Sequence, residues 1–142
     1  MTDLYQKLLV DHGKHPRNFR ALPEADRTAE GSNPLCGDEL TVKLLLRKDR
    51  IEEIAFQGAG CAVSIASASM MTLAVKGQLG PQVQSIAAKV RRLVAGENVE
   101  GLGDLASLSG VAQFPARVKC ALLAWRALEA ALAGTAGRVT TE

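Results

Sequence analysis

The stretch LTVKLLLRKDRIEEIAFQGAGC, residues 40–61, decides the architecture. Leu40, Val42, Leu44 and Leu46 alternate with Thr41, Lys43 and Leu45, the period of a strand with one buried face. After Lys48-Asp49-Arg50 the run from Ile51 to Phe56 continues in β-prone residues, so the two halves read as an antiparallel hairpin. Gly58-Ala59-Gly60 then makes a turn that delivers Cys61 to the start of a small-residue helix carrying Ile65, Ala66, Met70 and Leu73 and closed by Gly77.

Working outward toward the N-terminus, residues 16–34 are rich in breakers and polar residues (Pro16, Asn18, Pro23, Gly31, Ser32, Asn33, Pro34), which predicts a long irregular connection leading into Cys36. Before it, Thr2 can cap a first helix with Leu4, Tyr5, Leu8 and Leu9 on one face, stopped near His15 by Pro16. Toward the C-terminus, Pro81 opens a helix in which Val83, Ile86, Ala87, Val90, Leu93 and Val94 recur at helical spacing until Gly96. Residues 97–114 read as a polar, glycine-dotted connection. The segment from Pro115 to Ala133 is a final helix with a stripe of Val118, Leu122, Trp125, Leu128 and Leu132, ended by Gly134 and followed by a loose tail. Few strands followed by several helices, without an internal repeat, predict an α+β fold: a small antiparallel sheet packed by helices, in one domain over 1–142.

Composition bounds the function. With 142 residues, 47% of them hydrophobic, the chain can bury a core without help from disulfides or metal, so any metal needs another reason. Seventeen Lys and Arg against fifteen Asp and Glu, with no block of five like charges, give little case for nucleic acid or an anionic membrane. No apolar run approaches the roughly 18 residues of a spanning helix, and no basic and apolar leader precedes the fold, so a cytoplasmic protein is expected. Three cysteines cannot all pair, and a reducing compartment favours metal binding or nucleophilic chemistry over a disulfide framework.

Cys36, Asp38, Cys61 and Cys120 lie at loop or helix-start junctions, where a scaffold presents functional groups. Three thiolates and a carboxylate make a four-ligand set suited to tetrahedral zinc, or to an iron–sulfur cluster. The separations of 25 and 59 residues match no local zinc-finger spacing, so buried, inert cysteines are the competing reading. Against it, Cys61 precedes a helix whose N–H groups favour thiolate, and Cys120 points away from the apolar stripe of its own helix, although Leu123, Ala124 and Ala127 offer another face that buries it. Asp38 is either the most displaceable ligand or a residue that only starts a strand. Arg117 and Lys119 flank Cys120 and can offset the charge of such a site or meet an acidic partner. His12 and His15 lack a carboxylate–histidine pair to complete a metal site, and Ser64, Ser67 and Ser69 lack a partner base, so the serines read as helix-packing residues.

The chain resembles the NifU-like iron–sulfur assembly family almost end to end. The likeness rests on Leu4-Tyr5 with Asp11-His12, Pro16-Arg17-Asn18, Asn33-Pro34-Leu35-Cys36-Gly37-Asp38, Phe56-Gln57-Gly58-Ala59-Gly60-Cys61, Ala66-Ser67-Ala68-Ser69-Met70-Met71, and Arg117-Val118-Lys119-Cys120 before Ala124-Trp125. Within the family it is similar to the zinc-dependent sulfurtransferase branch, SufU. In the cluster-scaffold branch a histidine typically precedes the third cysteine, where this chain has Lys119, and the long segment between Cys61 and Cys120 is like the insertion of the sulfurtransferases. The resemblance implies a zinc site of Cys36, Asp38, Cys61 and Cys120 and persulfide sulfur taken from a SufS-like, pyridoxal-phosphate cysteine desulfurase for downstream iron–sulfur assembly proteins. It also implies Cys36 as acceptor, with Cys120 as the runner-up. The alternative it carries is a scaffold holding iron or a transient [2Fe–2S] cluster.

Overall fold

A computed structural model describes residues 3–134 and 138–140. The hairpin forms as its alternation requires. Strand β2 (Asp38–Arg47) pairs antiparallel with β3 (Arg50–Ala59) through a two-residue turn in which Lys48 and Asp49 both have positive φ. Such a turn matches the right-handed twist of the flanking strands. Leu40, Val42 and Leu44 are buried on one face. On β3 the large buried residues are Ile51, Ile54 and Phe56, with Ala55 buried as well, a spacing that strict alternation forbids. The register shifts between Leu45 and Leu46, so Glu52 is an extra residue on β3 and the bulge returns Ile54 to the core.

The expected irregular connection contains a strand. β1 (Arg27–Asn33) pairs antiparallel with β2, from Arg27 opposite Leu44 to Asn33 opposite Asp38. Its sequence, RTAEGSN, has no large apolar residue, which is why it reads as loop. Its inward positions are Ala29, Gly31 and Asn33 because the last helix lies close against them. A Cβ at Gly31 would come within 2.9 Å of Leu123 Cδ1, so glycine sets that approach. Cys36 therefore sits in a tight connection, Pro34 to Gly37, rather than at the end of a long loop. Both the Cys36 and Gly37 N–H groups donate to the Asn33 carbonyl, at 3.2 and 2.9 Å.

The helices follow their periodicity. α1 (Asp3–Lys14) ends before Pro16, and the Thr2 cap lies outside the described residues. α2 (Ala62–Val75) follows Cys61, α3 (Gly80–Val94) opens with Pro81 in its first turn, and α4 (Pro115–Ala133) ends in the left-handed Gly134. Two segments differ from expectation. Residues 103–113 form a 3₁₀ helix, Gly103–Gln113, whose Leu105, Leu108 and Val111 recur every third residue and are buried, the face that a three-residue turn creates. Residues Arg138–Thr140 of the tail form β4, parallel to β1, which makes the sheet order β3-β2-β1-β4.

α4 packs on β1 and β2, α2 packs on α4, and α1 packs on α2. α4 is buried over more than a stripe. Ala121, Leu123, Ala124, Trp125, Ala127 and Leu128 are inaccessible, whereas Val118, Leu122 and Leu132 are only half-buried. The serines of α2 do allow close packing, and two are also satisfied by hydrogen bonds. Ser67 Oγ donates to the Ala121 carbonyl at 2.6 Å and accepts from Trp125 Nε1 at 3.2 Å. Among the described residues no helix is long and apolar enough to cross a membrane.

Candidate metal centre

Four local structures converge at one end of the sheet. The β1–β2 connection presents Cys36, β2 begins with Asp38, Cys61 caps α2, and Cys120 lies in the second turn of α4. The Cys36 and Cys120 Sγ atoms and a carboxylate oxygen of Asp38 lie within 4.8 Å of one another. The two sulfurs are 3.4 Å apart, close to the roughly 3.8 Å edge of a tetrahedron with Zn–S bonds of about 2.3 Å. Cys36 is exposed, whereas Asp38 and Cys120 are inaccessible to solvent.

Asp38 both begins the strand and accepts hydrogen bonds. Its Oδ1 accepts the Cys61 backbone N–H at 2.8 Å, and its Oδ2 accepts from Asn33 Nδ2 at 3.2 Å. The Cys61 thiol stands outside the 4.8 Å grouping, half-exposed, yet near enough to act on Cys120. Burial pushes the Cys120 thiol well above the usual cysteine range, and hydrogen bonding with Cys36, Asp38 and Cys61 pushes it further. Arg117 faces the same thiols. Its guanidinium is shifted further toward the protonated form, first by its hydrogen bond with Cys120 and then by the charges of Cys61 and Cys120.

Glycine at position 60 allows the chain to pass close beside Asp38 and Ser64. A Cβ on Gly60 would lie 2.9 Å from Asp38 Oδ1 and 3.0 Å from Ser64 Oγ. Ser64 Oγ is fully buried and has no hydrogen-bond partner among the described residues. A buried, unsatisfied hydroxyl beside a buried carboxylate and two close sulfurs is the lining expected around a small cation. Thiolate and carboxylate donors together suit zinc, and sulfur donors equally suit iron.

Sequence reasoning gave Asn33 no role at the site, reading it as a breaker and as part of the motif that leads into Cys36. Its amide nitrogen donates to Asp38 Oδ2 and also lies 3.4 Å from Cys120 Sγ. The signal available was positional, because Asn33 and Asp38 flank a four-residue connection and face each other across it. His12 is elsewhere, with Nδ1 2.6 Å from Ser69 Oγ, which also accepts the Arg17 N–H at 2.8 Å. His15 is exposed.

Comparison with known proteins places this geometry in context. Residues 4–142 match the NifU-like N-terminal domain family. The chain is similar to the zinc-dependent sulfurtransferase SufU of Bacillus subtilis, at 39% identity over 96% of this chain and 95% of that protein. It is also similar to the iron–sulfur cluster assembly scaffold protein IscU of Streptococcus pyogenes, at 38% identity over 93% of this chain and 84% of that one. Among solved structures, a protein described as hypothetical superimposes with a TM-score of 0.88 and 38% identity, covering 94% of this chain and 99% of its own. The chain belongs to the NifU-like family of iron–sulfur cluster assembly proteins.

Proposed function

We infer that this chain is a cytoplasmic, zinc-dependent sulfurtransferase that accepts persulfide sulfur from a SufS-like cysteine desulfurase onto Cys36 and passes it to downstream iron–sulfur assembly proteins. The observation that carries this reading is the pairing of one exposed thiol, Cys36, with the buried Asp38 and Cys120 within 4.8 Å. Cys36, Asp38 and Cys120 would hold zinc, with Cys61 as the fourth donor. Bound zinc would keep these sulfurs as thiolates at neutral pH and protect them from oxidation.

The chain's own residues account for the transfer. The Cys36 thiolate attacks the outer sulfur of the desulfurase persulfide, forming a new S–S bond as the old one breaks. Cys36 then carries the persulfide, and the desulfurase cysteine departs as thiolate with its electron pair, so no oxidant is needed. Cys36 suits this role because the Asn33 carbonyl pins its backbone while its side chain faces solvent. Leu35 beside it and Phe114 at the start of α4 are large apolar side chains left exposed, at 63% and 58%, as a partner surface requires. Arg117 supplies positive charge against the incoming persulfide anion.

Lys119, where the scaffold branch carries histidine, and the higher coverage of SufU favour this reading. The similarity to IscU supports a second, in which the same residues hold a transient [2Fe–2S] cluster as cargo. Incubating the zinc-loaded protein with desulfurase and L-cysteine, then mapping peptides by mass, tests the first. One added sulfur on the Cys36 peptide is expected; sulfur found only on Cys120, or on none, overturns the assignment.

A further inference from the structure

The geometry points to Asn33 as the positioning residue that ties Asp38 and Cys120 into a fixed pair behind the exposed Cys36 thiol. This deepens the proposed function and rests on its reading of Cys36, Asp38 and Cys120 as metal ligands.

Asn33 is fully buried at the end of β1. One amide nitrogen carries two N–H bonds, and Asn33 Nδ2 lies 3.2 Å from Asp38 Oδ2 and 3.4 Å from Cys120 Sγ. It thus joins the start of β2 to α4, reaching 87 positions along the chain from Asn33 to Cys120. Asp38 is held from its other side by the Cys61 N–H at 2.8 Å. For Asp38 to leave, both of its buried oxygens would be drawn off their donors, and Cys120 is itself inaccessible to solvent on the packed α4.

Cys36 has a different relation to the same residue. Asn33 holds it through the main chain, its carbonyl accepting the Cys36 and Gly37 N–H groups. The Cys36 backbone is therefore fixed while its exposed thiol swings on its own side-chain bonds. One residue anchors the backbone of the mobile ligand and the side chains of the two immobile ones. Hydrogen bonds to ligands set how firmly they hold a metal, and their loss typically costs about 10- to 100-fold in affinity.

The test uses the full chain loaded with zinc, without desulfurase. Zinc per chain is measured first, then zinc release to a chelator, and then the order in which limiting iodoacetamide labels the three thiols, read by peptide mass. In the unsubstituted protein Cys36 labels first and Cys120 last. Asn33→Leu keeps the branched shape and removes the donor. We expect its zinc release to quicken at least about tenfold and Cys120 labelling to gain on Cys36. The near-UV signal of buried Trp125 reports the fold; if Asn33→Leu does not fold, Asn33→Ser, smaller and with a shorter donor, is read the same way. Release and labelling order like the parent's overturn the inference, as does equal acceleration of all three thiols, the mark of general loosening. An unsubstituted protein that binds no zinc overturns the metal reading itself, and this inference with it.

Discussion

The Cys61 N–H donates to Asp38 Oδ1 at 2.8 Å, so the first residue of β2 caps the approach to α2. This bond serves the fold as well as the site, because it satisfies a part-buried donor at the helix entry. Asp38→Ala removes it together with the Asn33 contact. The metal-free protein should lose about 1.5–3 kcal/mol of stability, the usual range for hydrogen bonds to a charged group, read as a lower urea midpoint. An unchanged midpoint would mean that Asp38 contributes nothing to folding.

Gly60 should tolerate no side chain. In Gly60→Ala the new methyl would press on Asp38 Oδ1 at 2.9 Å and on Ser64 Oγ at 3.0 Å, displacing the carboxylate. Zinc affinity, measured by competition with a chelator, should fall by about tenfold or more with the fold intact. Parent-like affinity would place the metal away from Asp38.

The thiols should separate by burial. Cys36→Ser lies on the surface and should leave thermal stability nearly unchanged while abolishing persulfide acceptance. Cys120→Ser places a hydroxyl at a position inaccessible to solvent and should cost about 1–3 kcal/mol of metal-free stability. Equal destabilisation by the two substitutions would contradict the arrangement.

His12 should make stability depend on pH. Its burial lowers its pKa from the ordinary 6.5, with the Arg17 charge adding to the effect. The unfolded chain therefore binds a proton that the folded chain resists, so stability is full above about pH 6.5 and declines as pH falls toward the depressed value. Urea midpoints at pH 7.5 and 5.5 should differ, and His12→Gln should shrink the difference. A gap that persists in the variant would assign the dependence to other groups.

The hairpin and the four helices were legible because their apolar residues are large and periodic, as with Leu40, Val42 and Leu44, or Val83, Ala87 and Val90. β1 was not, because close approach by α4 selects Ala29 and Gly31, which carry no hydrophobic signal of their own. The 3₁₀ helix was not, because Leu105, Leu108 and Val111 follow a period of 3.0 residues and leave no 3.6-residue pattern. Tertiary pairing with β1 likewise makes β4 out of residues that read as tail. Within the site, residue type and place at element junctions singled out Cys36, Asp38, Cys61 and Cys120, while the nearness of Cys36, Asp38 and Cys120 depends on the packing of α4 against β1 and β2. Asn33 needed the hairpin register, which only the pairing of β1 with β2 reveals.

The central claim is tested most directly by the metal and acid-labile sulfide content of protein purified anaerobically from iron-replete cells, followed by its effect on desulfurase turnover with cysteine. The account predicts one zinc per chain, no retained sulfide and faster turnover. Iron and sulfide held in cluster stoichiometry and passed to an apoprotein would contradict it and make the chain a scaffold.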